Sequence, residues 1–539
     1  MSDSDAPALA PPSGLQGSSS VSAEGHRLEP DNWDDFGQDM HVLLDTCLQR
    51  MKRARESPWQ PKPADFAKRM KLTPRDIAAG QSAATVFGRL TEEIMPYATG
   101  NTHSRFWGWV HGTGLPVAVG AELVAATMNS NCGGRDHASV EVERAVIEWL
   151  VGLCELQGCL PRAHALDYSF GVLVSGTSQA TILALNCART RLYGVDFRKS
   201  GIAHRPPARV YAVQGAHSCV GRALEVLGHG SAALHGVPAS HGQLSLPALQ
   251  RAVQEDREKG YEALAVVATA GTVNLGEFDD FVAISRFCAK ESIWLHIDAA
   301  FGFWLLLSQN NSYSELVRGI GGACSIALDF HKWMGIPYDC GAFLCYSESI
   351  HKSAFSSRPA YLQSAPSASD AAASTSAAAA ASPRSSAGLA GGDLWMCDYT
   401  LELSRGFKAL KVWASLQAVG TDTFGQVITD NCLQAAYMGE LVEKSELLVL
   451  VRPVTSNICC FGLATADKSE KKDCDGDVAK ITLTPSAIAT RLQVSGDAVF
   501  STTIIDGEEC LRAAIVNQRT TRRDIDDAVQ AVETCVNAP

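Results

Sequence analysis

An α/β fold is what this 539-residue sequence predicts: a mostly parallel sheet in a large domain, with a smaller α+β domain at the carboxyl end. Three observations predict it. From residue 171 to 345, short apolar runs alternate with segments of helical spacing, the pattern of parallel strands joined by right-handed crossovers. From about residue 426 the pattern shifts to that of a smaller α+β unit. The length also exceeds the usual size of a single domain.

Residues 1–30 are rich in Ser, Ala, Pro and Gly and are expected to be disordered. Residues 31–95 read as an N-terminal helical segment, because Phe36, Met40, Leu43, Leu44, Cys47 and Met51 recur at helical spacing. The stretch SPWQPKP ends that helix. The basic residues Lys52, Arg53 and Arg55 close it, where cations suit the helix dipole and need no binding partner.

Residues 96–425 form the expected large domain. Its first stretch, NTHSRFWGWVHGTG (101–114), is aromatic and Gly-rich, unusual for a plain connector. Trp107 and Trp109 can supply an aromatic wall, and His111 can meet an acidic or phenolic group. A helical pattern follows over 140–153. The run Gly-Val-Leu-Val at 171–174, the turn Ser175-Gly176-Thr177-Ser178 and a helical pattern over 180–188 make an anion site, since free N–H groups and the dipole point at the ligand. Ordinary Ser/Thr capping is the plainer alternative. No Gly-Lys-Ser/Thr follows, so this is no Walker loop.

Further strands are expected at 209–213, ahead of His217, and at 264–269, ahead of Thr272. A helix at 281–290 then leads into the buried strand Ile-Trp-Leu-His-Ile, which ends on Asp298. A second apolar run ends on Asp329-Phe330-His331-Lys332, and another strand starts at Gly341. Arg358-Pro-Ala-Tyr361-Leu follows. Residues 363–392, nearly all Ala, Ser and Gly, cannot bury a core and are expected to be disordered. A helix is expected over 401–419 with Arg405 in its first turn, where the dipole disfavours a cation.

The small domain, residues 426–539, has expected strands within 449–462 and 499–505 and a helix from Arg523. Its charged loop at 464–480 contains Asp-Cys-Asp-Gly-Asp, faintly like a calcium loop. The Gly is misplaced and no Glu closes it, so no metal site is expected.

Composition narrows the function. With 46% hydrophobic and 19% charged residues the chain has an ordinary globular makeup. A net charge of −12 argues against nucleic acid as a partner. The 17 cysteines are scattered, with no Cys-x-x-Cys pair, and suit free thiols in a reducing compartment. The first thirty residues lack the apolar core of a secretory signal, and no apolar run is long enough to span a bilayer, so a cytoplasmic protein without a membrane partner is expected.

The chemistry gathers at Asp298 and Lys332. In open α/β sheets ligands sit at the carboxyl ends of the strands. A carboxylate and an amine at neighbouring strand ends suit pyridoxal 5'-phosphate: the lysine bonds the cofactor's carbonyl carbon and the acid holds the pyridine nitrogen protonated.

The chain resembles the pyridoxal-phosphate decarboxylases of the glutamate and aromatic amino-acid type over residues 80–530. The likeness is carried by NSNCGGRDHASVEVE, LVSGTSQATILAL, HSCVGRAL, ATAGTVNLGEFDDF, WLHIDAAFG, DFHKW, RPAYLQ and SRGFKALKVW, in that order. It implies a fold type I transferase with a seven-stranded large sheet, and a homodimer whose N-terminal helices pack across the partner. It also implies cofactor contacts from Thr177, Ser178, His217, Thr272, Asp298, Ala300, Asp329, His331 and Lys332. Substrate contacts fall to His103, Thr113 and Arg405, the last meeting the substrate's carboxylate. Lys332, His217 (stacked on the ring) and the loop residue Tyr361, which returns a proton, are the catalytic set.

The expected reaction is decarboxylation of an L-amino acid, aromatic by preference, with glutamate, aspartate or cysteine sulfinate close behind. Competing readings are oxidative deamination to an aldehyde on the same scaffold, transamination, and a non-catalytic scaffold. In the family a loop phenylalanine accompanies aldehyde formation, so Tyr361 favours simple decarboxylation.

Overall fold

The computed structural model describes residues 28–74, 77–78, 80–156, 170–240, 242–357, 395–464 and 483–537. Tyr361, the Ala/Ser-rich stretch at 363–392 and most of the charged loop at 464–480 lie outside them. Two compact units result, residues 28–49 with 65–96, and residues 50–64 with 97–537.

Helix α1, Trp33–Lys52, carries Asp34 and Asp35 in its first turn and Arg50 and Lys52 in its last, which complements the macrodipole at both ends. In the larger unit, α2 (Pro116–Met128) starts with Pro at its first position, where a missing N–H costs nothing. Helix α3 (Ala138–Leu156) precedes β1 (Phe170–Val174), and α4 (Thr177–Tyr193) follows it. The chain continues through β2 (Ala208–Val213), β3 (Leu234–Val237) and β4 (Glu262–Thr269), then α5 (Phe281–Glu291), β5 (Trp294–Asp298), β6 (Ser325–Asp329) and β7 (Gly341–Cys345).

These strands form one seven-stranded sheet in the order β1-β7-β6-β5-β4-β2-β3. Strands β6, β5, β4, β2 and β3 are mutually parallel, and only β7 runs against its neighbours. Every residue of β1, β5, β6 and β7 is buried, which is why they read as unbroken apolar runs rather than alternating ones. Register aligns the ends: Thr269 pairs with Asp298, and Asp329 and Val174 both pair with Gly341. The carboxyl ends of β1, β4, β5 and β6 therefore share one edge.

Helices α6 (Ala409–Val419) and α7 (Thr421–Lys444) lead to a second, antiparallel sheet. It consists of β8 (Leu448–Leu450), β9 (Ile458–Leu463), β10 (Ser501–Ile505) and β11 (Glu508–Ala514) in the order β8-β9-β11-β10. Helix α8, Arg522–Asn537, ends the described chain. The expected helix over 401–419 is shorter than its pattern, since only 409–419 is helical. Arg405 thus precedes the helix, and the dipole argument made for it does not apply. Arg55, expected to be a solvated helix end, instead donates to both oxygens of Asp524 at 3.0 and 2.9 Å.

Candidate active site

A cavity of about 630 Å³ opens at the carboxyl edge of the large sheet. Asp298, Lys332, His217, Thr177, Ser178, Thr272, Ala300, Asp329 and His331 all line it. They come from the ends of separate strands, so the parallel register is what brings them together.

Asp298 closes β5 and is 6% exposed. The Ala300 N–H donates to its Oδ1 at 3.2 Å, and the Cys219 thiol lies 3.6 Å from its Oδ2. Burial pushes its carboxyl above the ordinary aspartate value, opposed by Lys332, His217 and the Ala300 N–H. A buried carboxylate of this kind calls for a positive partner.

Lys332 follows β6 and reaches back, its Nζ 3.1 Å from Asp329 Oδ2. The other Asp329 oxygen accepts the Thr177 N–H at 2.8 Å. This corrects one detail of the anion-site expectation: the first N–H of α4 is already engaged by Asp329. The Thr177 hydroxyl, in contrast, is buried with no hydrogen-bond partner among the described residues.

His217 accepts the Cys219 N–H on Nδ1 at 3.2 Å, which leaves Nε2 to carry a proton. His331 is held through Nδ1 by Cys340 and lies against Tyr338, ring centroids 4.5 Å apart. Thr272 accepts the Glu277 N–H on Oγ1 at 3.1 Å. Beside it, Gly271 has φ +88° and a Cβ there would meet the Phe301 ring at 2.6 Å, so only glycine fits.

The expected substrate residues fare differently. Arg405 is 5% exposed and held through both terminal nitrogens: it bonds both oxygens of Glu143, at 3.0 and 2.5 Å, and the carbonyls of Cys132 and Leu173, while its buried Nε has no partner among the described residues. It does not line the cavity, and both its terminal nitrogens are taken by Glu143 and the two carbonyls. His103, 6% exposed, turns inward, its carbonyl accepting from Asn517 and its Nδ1 from the Arg105 N–H. The Thr113 hydroxyl donates to Gln518, and neither His103 nor Thr113 lines the cavity. Trp107 is a core side chain packed on Phe500 rather than a wall. Simple alternation would put Trp107, Trp109 and His111 on one face; the left-handed backbone at Trp109 breaks it, so Trp109 and His111 line the cavity while Trp107 is buried in the core.

Trp109 and His111 stack with centroids 5.5 Å apart, and Tyr338 meets His111 edge-on at 6.0 Å. Trp109 has φ +54°, a conformation that costs a bulky residue about 1–3 kcal/mol and clusters at functional sites. Gly112 lets the stretch lie against the lysine segment, since a Cβ would sit 2.2 Å from the His331 carbonyl oxygen.

Sequence reasoning missed Arg512. It lies on β11, lines the cavity and is 4% exposed. Nε donates to the Asn274 carbonyl at 3.2 Å, and Nη1 to the Trp109 carbonyl at 3.0 Å and to Ser501 Oγ at 3.2 Å. Nη2 is buried without a partner among the described residues. Desolvation lowers its pKa to about 10, still cationic at neutral pH. A cation inside the apolar run Cys510–Val516 was the available signal.

The donor set fits pyridoxal phosphate: a buried carboxylate with no ion pair among the described residues for a ring nitrogen, a lysine at the same cavity, and a threonine hydroxyl without a partner among the described residues for a phosphate oxygen. Among the described residues no cluster of His, Cys, Asp and Glu has the makings of a metal site.

Comparison with known proteins agrees. Over 488 residues the chain is 26% identical to an aromatic-L-amino-acid decarboxylase of Bacillus atrophaeus, covering 90% of this chain and 92% of that protein. It is 27% identical over 445 residues to an L-2,4-diaminobutyrate decarboxylase of Rhizobium meliloti, covering 82% and 80%. The crystal structure of Oryza sativa TDC with PLP and tryptamine superposes with a TM-score of 0.78 at 21% identity, over 94% of this chain and 99% of that one. Mouse CSAD in apo form gives 0.76 at 21% identity, over 93% and 98%. These likenesses show the fold type I architecture. The pyridoxal-dependent decarboxylase conserved domain matches residues 68–386, more than half of the sequence, and the chain therefore belongs to the pyridoxal-dependent decarboxylases, enzymes whose cofactor is pyridoxal 5'-phosphate.

Proposed function

We propose that this enzyme decarboxylates an aromatic L-amino acid to the corresponding amine and carbon dioxide. One observation carries the reading: Arg512, whose buried Nη2 has no partner among the described residues, lines the same cavity as Trp109, His111 and Tyr338. A guanidinium N–H suits a carboxylate, and the three rings beside it suit a flat apolar side chain.

When bound, pyridoxal phosphate supplies a carbonyl carbon that takes the substrate amine and a ring that holds the electron pair left by departing carbon dioxide. Lys332 would hold the cofactor through that carbonyl. Asp298, buried and lining the cavity, would keep the ring nitrogen protonated. His217 would cover the ring, and Thr272, Ala300 and His331 would shape its bed, since all four line the cavity. Thr177 and Ser178 would hold the phosphate, while Asp329 orients Lys332. Arg512 takes the role once expected of Arg405 and fixes the substrate's carboxylate. Tyr361, outside the described residues, returns the proton to the α-carbon, so that hydrogen replaces the carboxylate and no oxidant is consumed.

A homodimer fits the exposed apolar residues Val119, Leu123, Val124 and Met128 of α2 and Trp413 of α6, two helices that pack together. The described cysteines are all free thiols, in keeping with a reducing, cytoplasmic setting, and no described helix is long and apolar enough to cross a membrane.

A second reading, an acidic substrate, is favoured only by Arg512 itself, which suits either carboxylate of a dicarboxylic amino acid. Carbon dioxide release across the twenty amino acids, with amine, aldehyde and peroxide assayed in parallel, tests both. Turnover of tryptophan, tyrosine or phenylalanine to the amine is expected. Release from glutamate or aspartate alone would replace the aromatic reading, and aldehyde with peroxide would replace simple decarboxylation.

A further inference from the structure

The carboxylate anchor and the aromatic wall are built as one piece. Ser501 and Arg512 face each other across β10 and β11. The Ser501 hydroxyl donates to the Arg512 carbonyl at 3.3 Å, accepts from Arg512 Nη1 at 3.2 Å and receives the Trp109 N–H at 3.4 Å. Arg512 Nη1 also donates to the Trp109 carbonyl at 3.0 Å. The N–H and the C=O of Trp109 are thus both held from the second sheet.

We propose that Ser501 is a positioning residue that locks Arg512 and Trp109 into a single clamp, so that the substrate's carboxylate and its ring are recognised together. This rests on the reading of Arg512 and Trp109 given above.

Three features support the clamp. Trp109 sits at φ +54°, a conformation its own chain does not favour and that outside contacts must hold. Trp107, two residues earlier, is docked on β11 and on the segment just before β10: its N–H donates to the Val499 carbonyl at 2.8 Å, and the Ala514 N–H donates to its carbonyl at 2.9 Å. Arg512 is fixed on its other side by Asn274, so its remaining donor, Nη2, has one direction left to point. Any shift of the guanidinium toward a carboxylate pulls on the Trp109 carbonyl, and the indole moves with it. A serine that merely satisfied its strand neighbours would affect folding without linking the two recognition events.

The test is binding of indole-3-propionate, an aromatic acid with no amine to react with the cofactor, to the full-length holoenzyme by calorimetry. Ser501→Ala is expected to weaken binding about three- to tenfold, the range for loss of a hydrogen bond, and Ser501→Thr, which keeps the hydroxyl, to restore it. A double-mutant cycle reads the coupling directly. The effects of Arg512→Gln and Trp109→Ala are expected to be non-additive with serine at 501 and close to additive with alanine there. If Ser501→Ala does not fold, Ser501→Cys, similar in shape but a poor acceptor, carries the same comparison. Unchanged affinity together with unchanged coupling in the alanine background overturns the clamp alone. A wild-type holoenzyme that binds no aromatic acid and turns none over overturns the aromatic reading, and the clamp with it.

Discussion

Lys332 Nζ stands 3.1 Å from one oxygen of Asp329, whose other oxygen accepts the Thr177 N–H at 2.8 Å. One buried carboxylate therefore orients the amine that follows β6 and pins the start of α4. Asp329→Ala leaves the Thr177 N–H without its acceptor, a loss of about 1–3 kcal/mol, and releases Lys332. Cofactor retention is expected to weaken about tenfold, read from the absorbance of chain-bound pyridoxal after dialysis. Asp329→Asn keeps an acceptor oxygen for Thr177 and should lose less. Equal losses in the two variants would assign the effect to charge rather than placement.

Lys332→Ala removes the amine at the cavity while leaving the Asp329–Thr177 bond in place. Borohydride treatment of the wild-type holoenzyme is expected to add the mass of the reduced cofactor to the peptide containing residue 332. The variant should gain no such mass. Labelling of a different lysine would displace Lys332 from its proposed role.

Asp298 offers a test by pH. Burial raises its carboxyl above the ordinary value, so it becomes neutral earlier than an exposed aspartate as pH falls. Only the ionised form attracts a protonated ring nitrogen. Cofactor affinity is therefore full above that raised value and declines as pH drops through it. Asp298→Asn should bind weakly with little of this pH dependence. Its loss at neutral pH should match an opposite-charge pair, about 1–3 pKa units or 1.4–4 kcal/mol. Equilibrium titrations of cofactor at several pH values check both the slope and the size.

Much of this layout is legible in the sequence because it follows from local pattern. Asp298 closes a run with no polar interruption except His296, and buried parallel strands leave few places for a carboxylate other than their ends. Lys332 is legible for the same reason. Arg405 and Arg512 show where local pattern fails. Arg405 sits in a stretch that looks helical, and its partner Glu143 lies 262 residues away, beyond any periodicity. Arg512 interrupts an apolar run, but what it faces depends on how the second sheet meets the 101–114 stretch. Trp107 and Trp109 illustrate the same limit, since two tryptophans with one residue between them point opposite ways and only the tertiary contacts decide which way each faces.

The Arg405–Glu143 pair yields its own prediction. Arg405 is 5% exposed and Glu143 1%, so removing either leaves an uncompensated buried charge. Arg405→Met should destabilise the protein by about 3–5 kcal/mol, seen as a lower unfolding midpoint. KM in whatever fraction stays folded should be little changed, because Arg405 does not line the cavity. A raised KM without loss of stability would return Arg405 to the substrate site.

Asp524 carries the stability prediction with the clearest sign. Burial alone would raise its carboxyl, but donors from Thr521, Arg55 and Ser104 outweigh burial and hold it below the ordinary value. The contacts are short: the Thr521 N–H at 2.8 Å, the Thr521 hydroxyl at 2.7 Å, Arg55 Nη2 at 2.9 Å and the Ser104 hydroxyl at 3.0 Å. A group depressed on folding contributes stability above its unfolded pKa, and that contribution is lost as pH falls through the folded value. Asp524→Asn should therefore cost about 1–3 kcal/mol near neutrality, at the low end for a buried pair because the Arg55 side chain is 48% exposed. The gap between variant and wild type should shrink as pH drops below roughly 4, the ordinary aspartate value. Urea unfolding at pH 7 and at successively lower pH measures it. A gap that stayed constant with pH would mean that Asp524 acts through the shape of its hydrogen bonds and not through its charge.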